Sequence, residues 1–133
     1  MNGGKKAVGM VVRYENDILL ARKIKKPGAI LSEKWHLPGE TLEEDETDEG
    51  AVVRGICQEA GIEVRIERAL GSAITPKGTV INWYECVALN GNIRPGSDVD
   101  RVKWTPRDNV RGECHPDAVA RWPKDVDDYF PYK

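Results

Sequence analysis

Eight acidic side chains crowd into residues 40–59: Glu40, Glu43, Glu44, Asp45, Glu46, Asp48, Glu49 and Glu59. Carboxylates concentrated in this way are the oxygen ligands that hard divalent cations such as magnesium and manganese prefer. The helix expected at the end of this stretch carries Gly55, Gln58 and Glu59. Glu59 keeps a full charge there. Gln58 offers a neutral carbonyl, and Gly55 offers no side chain while costing about 1 kcal/mol relative to alanine in a helix interior. Further reactive groups lie elsewhere. His115 sits in R-G-E-C-H-P-D between Glu113 and Asp117, Glu85 in W-Y-E-C-V, and His36 in W-H-L-P-G. Cys114 adjoins His115, but nucleophile–base dyads meet in space rather than as sequence neighbours.

The run from Trp35 to Ile62 closely resembles the Nudix box of the MutT-like pyrophosphohydrolases, G-x5-E-x7-R-E-U-x-E-E-x-G-U with U aliphatic. Glu46, Arg54, Ile56, Glu59, Gly61 and Ile62 match without gaps, whereas Glu40, Gly55 and Gln58 stand where the pattern has Gly, Glu and Glu. The resemblance implies an α/β Nudix fold, an α/β/α sandwich with a mixed sheet, filled by a single domain over residues 1–133. It further implies hydrolysis of a nucleoside diphosphate linked to another moiety, in which phosphate charge is neutralised and a water is aimed and deprotonated.

With two of the three helix glutamates missing, the resemblance implies one Mg2+ (or Mn2+) rather than a cluster. Its expected ligands are Glu59, Gln58, the Gly39 carbonyl and Glu40. Glu40 either leans toward the ion, blocks the phosphate or points to solvent. Glu46 pairs with Arg54 to orient the helix, and Gly61 ends it. The base must then come from elsewhere: His115, by analogy with the GDP-mannose hydrolases that keep only the last glutamate, or Glu85. The expected catalytic set is therefore His115, Glu85 and Arg54. Arg22, Lys23, Lys25 and Trp83, with Tyr84 and Trp104, are candidates for holding phosphates and a base or sugar. The competing reading is an inactive Nudix-fold module that binds a nucleotide or a protein partner. Relatives are often dimeric, which leaves a homodimer open.

Composition narrows the partners. The 20 basic and 22 acidic residues leave a net charge of −2, unlike proteins that grip nucleic acid through many phosphate contacts. Three scattered cysteines suggest neither a disulfide framework nor a zinc site and fit a reducing cytoplasm. No apolar run approaches the ~20 residues of a membrane span, and the start does not read as a signal peptide.

These residues need elements to position them. Residues 7–13 and 18–21 read as strands joined at Asn16-Asp17, with a loop at Lys26-Pro27-Gly28 and a short extended piece at 35–37. Val52, Val53, Ile56 and Ala60 give residues 47–60 a helical stripe, with Gly61 as the stop. Residues 62–70, 80–89 and 99–104 alternate as strands, and 117–121 and 125–129 read as short helices.

Overall fold

Strand β1 (Lys6–Tyr14) organises the molecule through its alternation. Val8, Met10 and Val12 enter one core cluster while Val11 enters another on the opposite face, as the two-residue period of a strand requires. The computed structural model describes residues 5–23, 34–96 and 99–132. The expected loop at Lys26-Pro27-Gly28 and the phosphate candidate Lys25 lie outside the described residues.

β1 turns into β2 (Asp17–Lys23) through Glu15 and Asn16, with Glu15 at a φ of 56°. The turn falls one residue earlier than its Asn16-Asp17 signal, because Asp17 already pairs with Tyr14. β2 pairs with β3 (Trp35–His36) and with β7 (Val99–Pro106). β1 pairs with the short β4 (Gly39–Thr41) and, in parallel, with β6 (Val80–Ala88), which in turn carries the edge strand β5 (Val64–Ile74). β5 runs past the expected 62–70 because its far end is paired too, Ser72 with Asn82 and Ile74 with Val80. The register shifts between Ala69 and Ser72, an irregularity that interrupts the simple alternation there.

Helix α1 (Asp48–Ala60) covers one face of the sheet. Thr47 caps it, its Oγ1 accepting from Gly50 N at 3.0 Å, and Gly61 closes it with φ 73°. Its buried stripe is Ala51, Val52, Ile56 and Ala60, whereas Val53 is 42% exposed. Val53 stands about 100° round the helix from Val52 and so leaves the stripe.

The opposite face is covered by the C-terminal segment. A 3-10 turn (Arg107–Asn109) runs into α2 (Val110–Glu113), followed by α3 (Pro116–Val119) and α4 (Lys124–Tyr129). Their Val110, Trp122, Val126, Tyr129 and Phe130 pack with Val11, Ile18, Leu20 and Trp83. The turn and α2 were not expected, since one helical turn containing Gly112 shows no periodicity. Helices lie on both sides of a mixed sheet, which makes the α/β/α sandwich. Among the described residues no helix is long and apolar enough to cross a membrane.

Candidate active site

Arg54 is the hub that joins the loop after β4 to α1. Its Nε and Nη2 donate to the two Glu46 carboxylate oxygens, both at 2.8 Å, and Nη2 also donates to the Thr41 carbonyl at 3.0 Å. Nη1 donates to Gln58 Oε1 at 3.1 Å and lies 3.3 Å from Glu40 Oε2. A planar guanidinium suits this, because its donors form a rigid fork that holds a carboxylate at two points. Glu46 also accepts from Glu43 N at 2.9 Å, closing the loop on itself. The Arg54 hydrogen bond, followed by that from the Glu43 backbone, pulls the Glu46 carboxyl down to about 2. Arg54 thus positions the box, and Glu46 anchors it.

Above this clamp the box departs from its pattern in a spatially coherent way. A Cβ placed on Gly55 would lie 2.9 Å from Glu40 Cβ and 3.2 Å from Glu40 Cγ. Glu40 therefore fills the volume that a side chain at 55 would need. One helical turn further on, Glu59 is only 7% exposed and belongs to the same buried face of α1. Gln58 is turned to Arg54.

The Gly39 carbonyl is set by the β1–β4 ladder. Met10 N donates to Pro38 O and Leu42 N to Lys6 O, in a register that sets Gly9 opposite Gly39. In the alternation of an antiparallel ladder, Gly39 is then a non-hydrogen-bonded position, and its carbonyl points away from β1. Glu59, Glu40 and the Gly39 carbonyl are all oxygen donors, the kind a hard divalent cation takes. Among the described residues no group of three or more His, Cys, Asp or Glu is placed to share a metal ion.

Beside the β1–β4 ladder, on the sheet face opposite α1, opens a cavity of about 290 Å3 whose lining includes Gly39, Glu40, Thr41, Ile81, Trp83 and Trp122. Trp83 lies flat across β1. A Cβ on Gly9 would come within 2.5–2.6 Å of three atoms of its indole. The side chain is therefore laid down by the absence of one at Gly9. Trp83 is 8% exposed, and its buried Nε1 meets no acceptor among the described residues.

Glu85, His115 and Arg22 do not line this cavity. Glu85 lines a separate one, with Arg13, Arg68, Arg107, Asp125, Asp128 and Tyr129. It accepts from Arg68 Nε at 2.8 Å and Tyr129 Oη at 2.7 Å. Burial alone would raise its carboxyl, but these two hydrogen bonds and the charges of Arg68 and Arg13 hold it below the ordinary value. His115 is the N-cap of α3, its Nδ1 accepting from Asp117 N at 3.1 Å. In the neutral ring that leaves the hydrogen on Nε2, so neither nitrogen offers a free lone pair. Glu85 and His115 thus each have partners of their own outside the cavity lining. Arg22 is bidentate with Asp100, both bonds at 3.0 Å, and Lys23 closes β2 with its side chain outside the described set. His36 lines the cavity, its Nδ1 hydrogen-bonded to the Leu37 carbonyl at 2.9 Å.

Two features of the site were not foreseen. Asp48 is more than a helix-terminal charge, since its Oδ2 accepts from Tyr84 Oη at 2.6 Å and Asn82 Nδ2 at 2.9 Å, tying the start of α1 to β6. Burial, then the bond to Asp48, raises the Tyr84 hydroxyl to about 12. The alternation of Asn82 and Tyr84 on β6 was the available signal. Gly9 was the other, a glycine inside a valine-rich strand, which marks close approach of another group.

Known proteins agree with this architecture. The NUDIX domain family matches residues 4–129. A "MutT-like protein" of Streptomyces ambofaciens is 33% identical over 103 residues, 77% of this chain and 63% of that protein. An "8-oxo-(d)GTP phosphatase" of Mycolicibacterium smegmatis is 34% identical over 77 residues, 56% of this chain and 24% of that protein. Both matches thus span less than two thirds of the relative's length. The crystal structure of a NUDIX hydrolase from Nitrosomonas europaea superposes with a TM-score of 0.72 at 24% identity, covering 80% of this chain and 59% of that one. A family match running through nearly the whole chain, on a loop and helix clamped together by Glu46 and Arg54, shows that this protein belongs to the Nudix hydrolase family.

Proposed function

We propose that this chain, acting as a single domain, hydrolyses a nucleoside diphosphate joined to a further group. The observation that carries this is the cavity, whose lining joins Gly39, Glu40 and Thr41 of the box to the flat indole of Trp83. A planar base stacked on Trp83 would lie in the same cavity as Gly39, Glu40 and Thr41, which lead to the box. The relative named 8-oxo-(d)GTP phosphatase supports a nucleotide as the ligand class.

Glu59, Glu40 and the Gly39 carbonyl would hold a divalent magnesium or manganese ion. Such an ion supplies neutralisation of the diphosphate charge and acidification of the attacking water. Gln58, neutral and bonded to Arg54, adds no charge, so the site suits a single ion. Because Glu85 and His115 are engaged elsewhere, accepting the proton of the water falls to the box carboxylates. The loss of acids at 55 and 58 also favours a second reading, a module that binds a nucleotide without cleaving it.

A panel of nucleoside triphosphates, nucleotide sugars, ADP-ribose and dinucleoside polyphosphates, assayed with Mg2+ and Mn2+, separates the two. Turnover of one member that Glu59→Gln abolishes supports the hydrolase. Tight binding of one member with no turnover across the panel supports the binding module instead.

A further inference from the structure

A glutamate at 40 and a side chain at 55 cannot coexist in this backbone. The Cβ–Cβ separation would be 2.9 Å, and the obstructing atom is the root of the Glu40 side chain, which cannot swing aside. Glu40 is fixed on β4, opposite Val8 of β1, and Gly55 lies within the buried face of α1. Relative to the Nudix pattern the two residues are exchanged: the loop has gained a carboxylate and the helix has lost one, at a single point in space. A random loss of the helix acid would leave a hole there; instead the volume is filled by another glutamate.

We propose that this is a reciprocal exchange, in which Glu40 delivers from β4 the carboxylate that α1 lacks at position 55, and that Glu40 and Glu59 are the two charged donors of the cation site. The inference rests on the reading that the box holds a divalent cation. Glu40 is already held in place. Its Oε1 accepts from Thr41 N at 3.1 Å, and its Oε2 lies 3.3 Å from Arg54 Nη1. Each carboxylate oxygen has two lone pairs, so these contacts fix the group without exhausting it. Gly55 and Glu59 are i and i+4, one turn apart on one face of α1, so Glu40 over Gly55 stands about a turn from Glu59. The Gly39 carbonyl, directed away from β1, precedes Glu40 directly. Two carboxylates balance one divalent ion, and Gln58 adds no third charge.

The test is Mn2+ titration, followed by the loss of the free-ion electron paramagnetic resonance signal, together with thermal denaturation of each variant. Glu40→Gln keeps shape and removes charge. It should weaken Mn2+ binding by roughly tenfold or more and leave a cooperative melting transition. Gly55→Glu alone should melt at lower temperature than the wild type because two side chains compete for one volume. The double variant Glu40→Gly with Gly55→Glu should recover both the melting temperature and the Mn2+ affinity toward wild-type values. Wild-type affinity in Glu40→Gln overturns the proposal, as does absence of Mn2+ binding by the wild type. So does a double variant that binds Mn2+ no better than Glu40→Gly. If the exchange pattern holds while no nucleotide is cleaved, the hydrolase reading fails and the exchange stands.

Discussion

Replacing Gly55 with alanine separates helix propensity from packing at one atom. In the interior of a free-standing helix the change stabilises by about 1 kcal/mol. Here the new Cβ would lie 2.9 Å from Glu40 Cβ, whereas carbon atoms rest at about 3.5–4.0 Å. Forcing such overlap into a packed region costs about 1–3 kcal/mol. The balance is a loss of up to about 2 kcal/mol, opposite in sign to the propensity gain. In a Glu40→Gly background the obstruction disappears and the same substitution should stabilise by about 1 kcal/mol. Glu40→Ala should not rescue, because it retains the offending Cβ. Urea denaturation followed by tryptophan fluorescence gives the stability of each background with and without Gly55→Ala, provided the m-values agree. Equal stabilisation by Gly55→Ala in both backgrounds would refute the shared-volume reasoning, and with it the basis of the exchange.

Two further outcomes are expected. The Glu46 carboxyl lies at about 2 in the folded protein against an ordinary 4.5. A depressed carboxyl favours the folded state above the ordinary value, and that contribution is lost as pH falls from about 4.5 to about 2. Stability measured across this window should fall less steeply in Glu46→Gln than in the wild type; parallel profiles would count against the Arg54 clamp. Gly9→Ala brings a Cβ to 2.5 Å from the Trp83 ring, so it should cost about 1–3 kcal/mol in stability and raise the KM of whichever nucleotide is cleaved. An unchanged KM would remove Trp83 from the ligand site.

Several elements were legible in the chain for local reasons. β1, β2, α1, β6 and β7 carry their own alternation or helical period, and α1 carries both of its caps, Thr47 and Gly61. β4, the far end of β5 and the turn before α2 were not legible. Each is short, irregular in register or held by a partner distant in sequence, as Glu40 is by Val8 and as the shift between Ala69 and Ser72 interrupts β5. The candidate site divides in the same way. Arg54 and Glu46 stand at the spacing their pairing needs, and they pair. Glu85 sits on the strand expected over 80–89, but α4 brings Tyr129 to it, and β5 brings Arg68. His115 is spent on capping α3, a use that depends on where that helix begins.

Residue types and spacing by themselves determined the family, the central helix with its clamp, and the shortage of acids at 55 and 58. These depend on contacts within a few turns of chain or on a pattern read along it. Only the tertiary structure decided what became of the missing charge. Glu40 and Gly55 are fifteen positions apart, on a strand and a helix whose approach is set by the packing of α1 against β1. Whether a side chain fills a neighbour's vacancy or points to solvent depends on that distance, which no local period encodes.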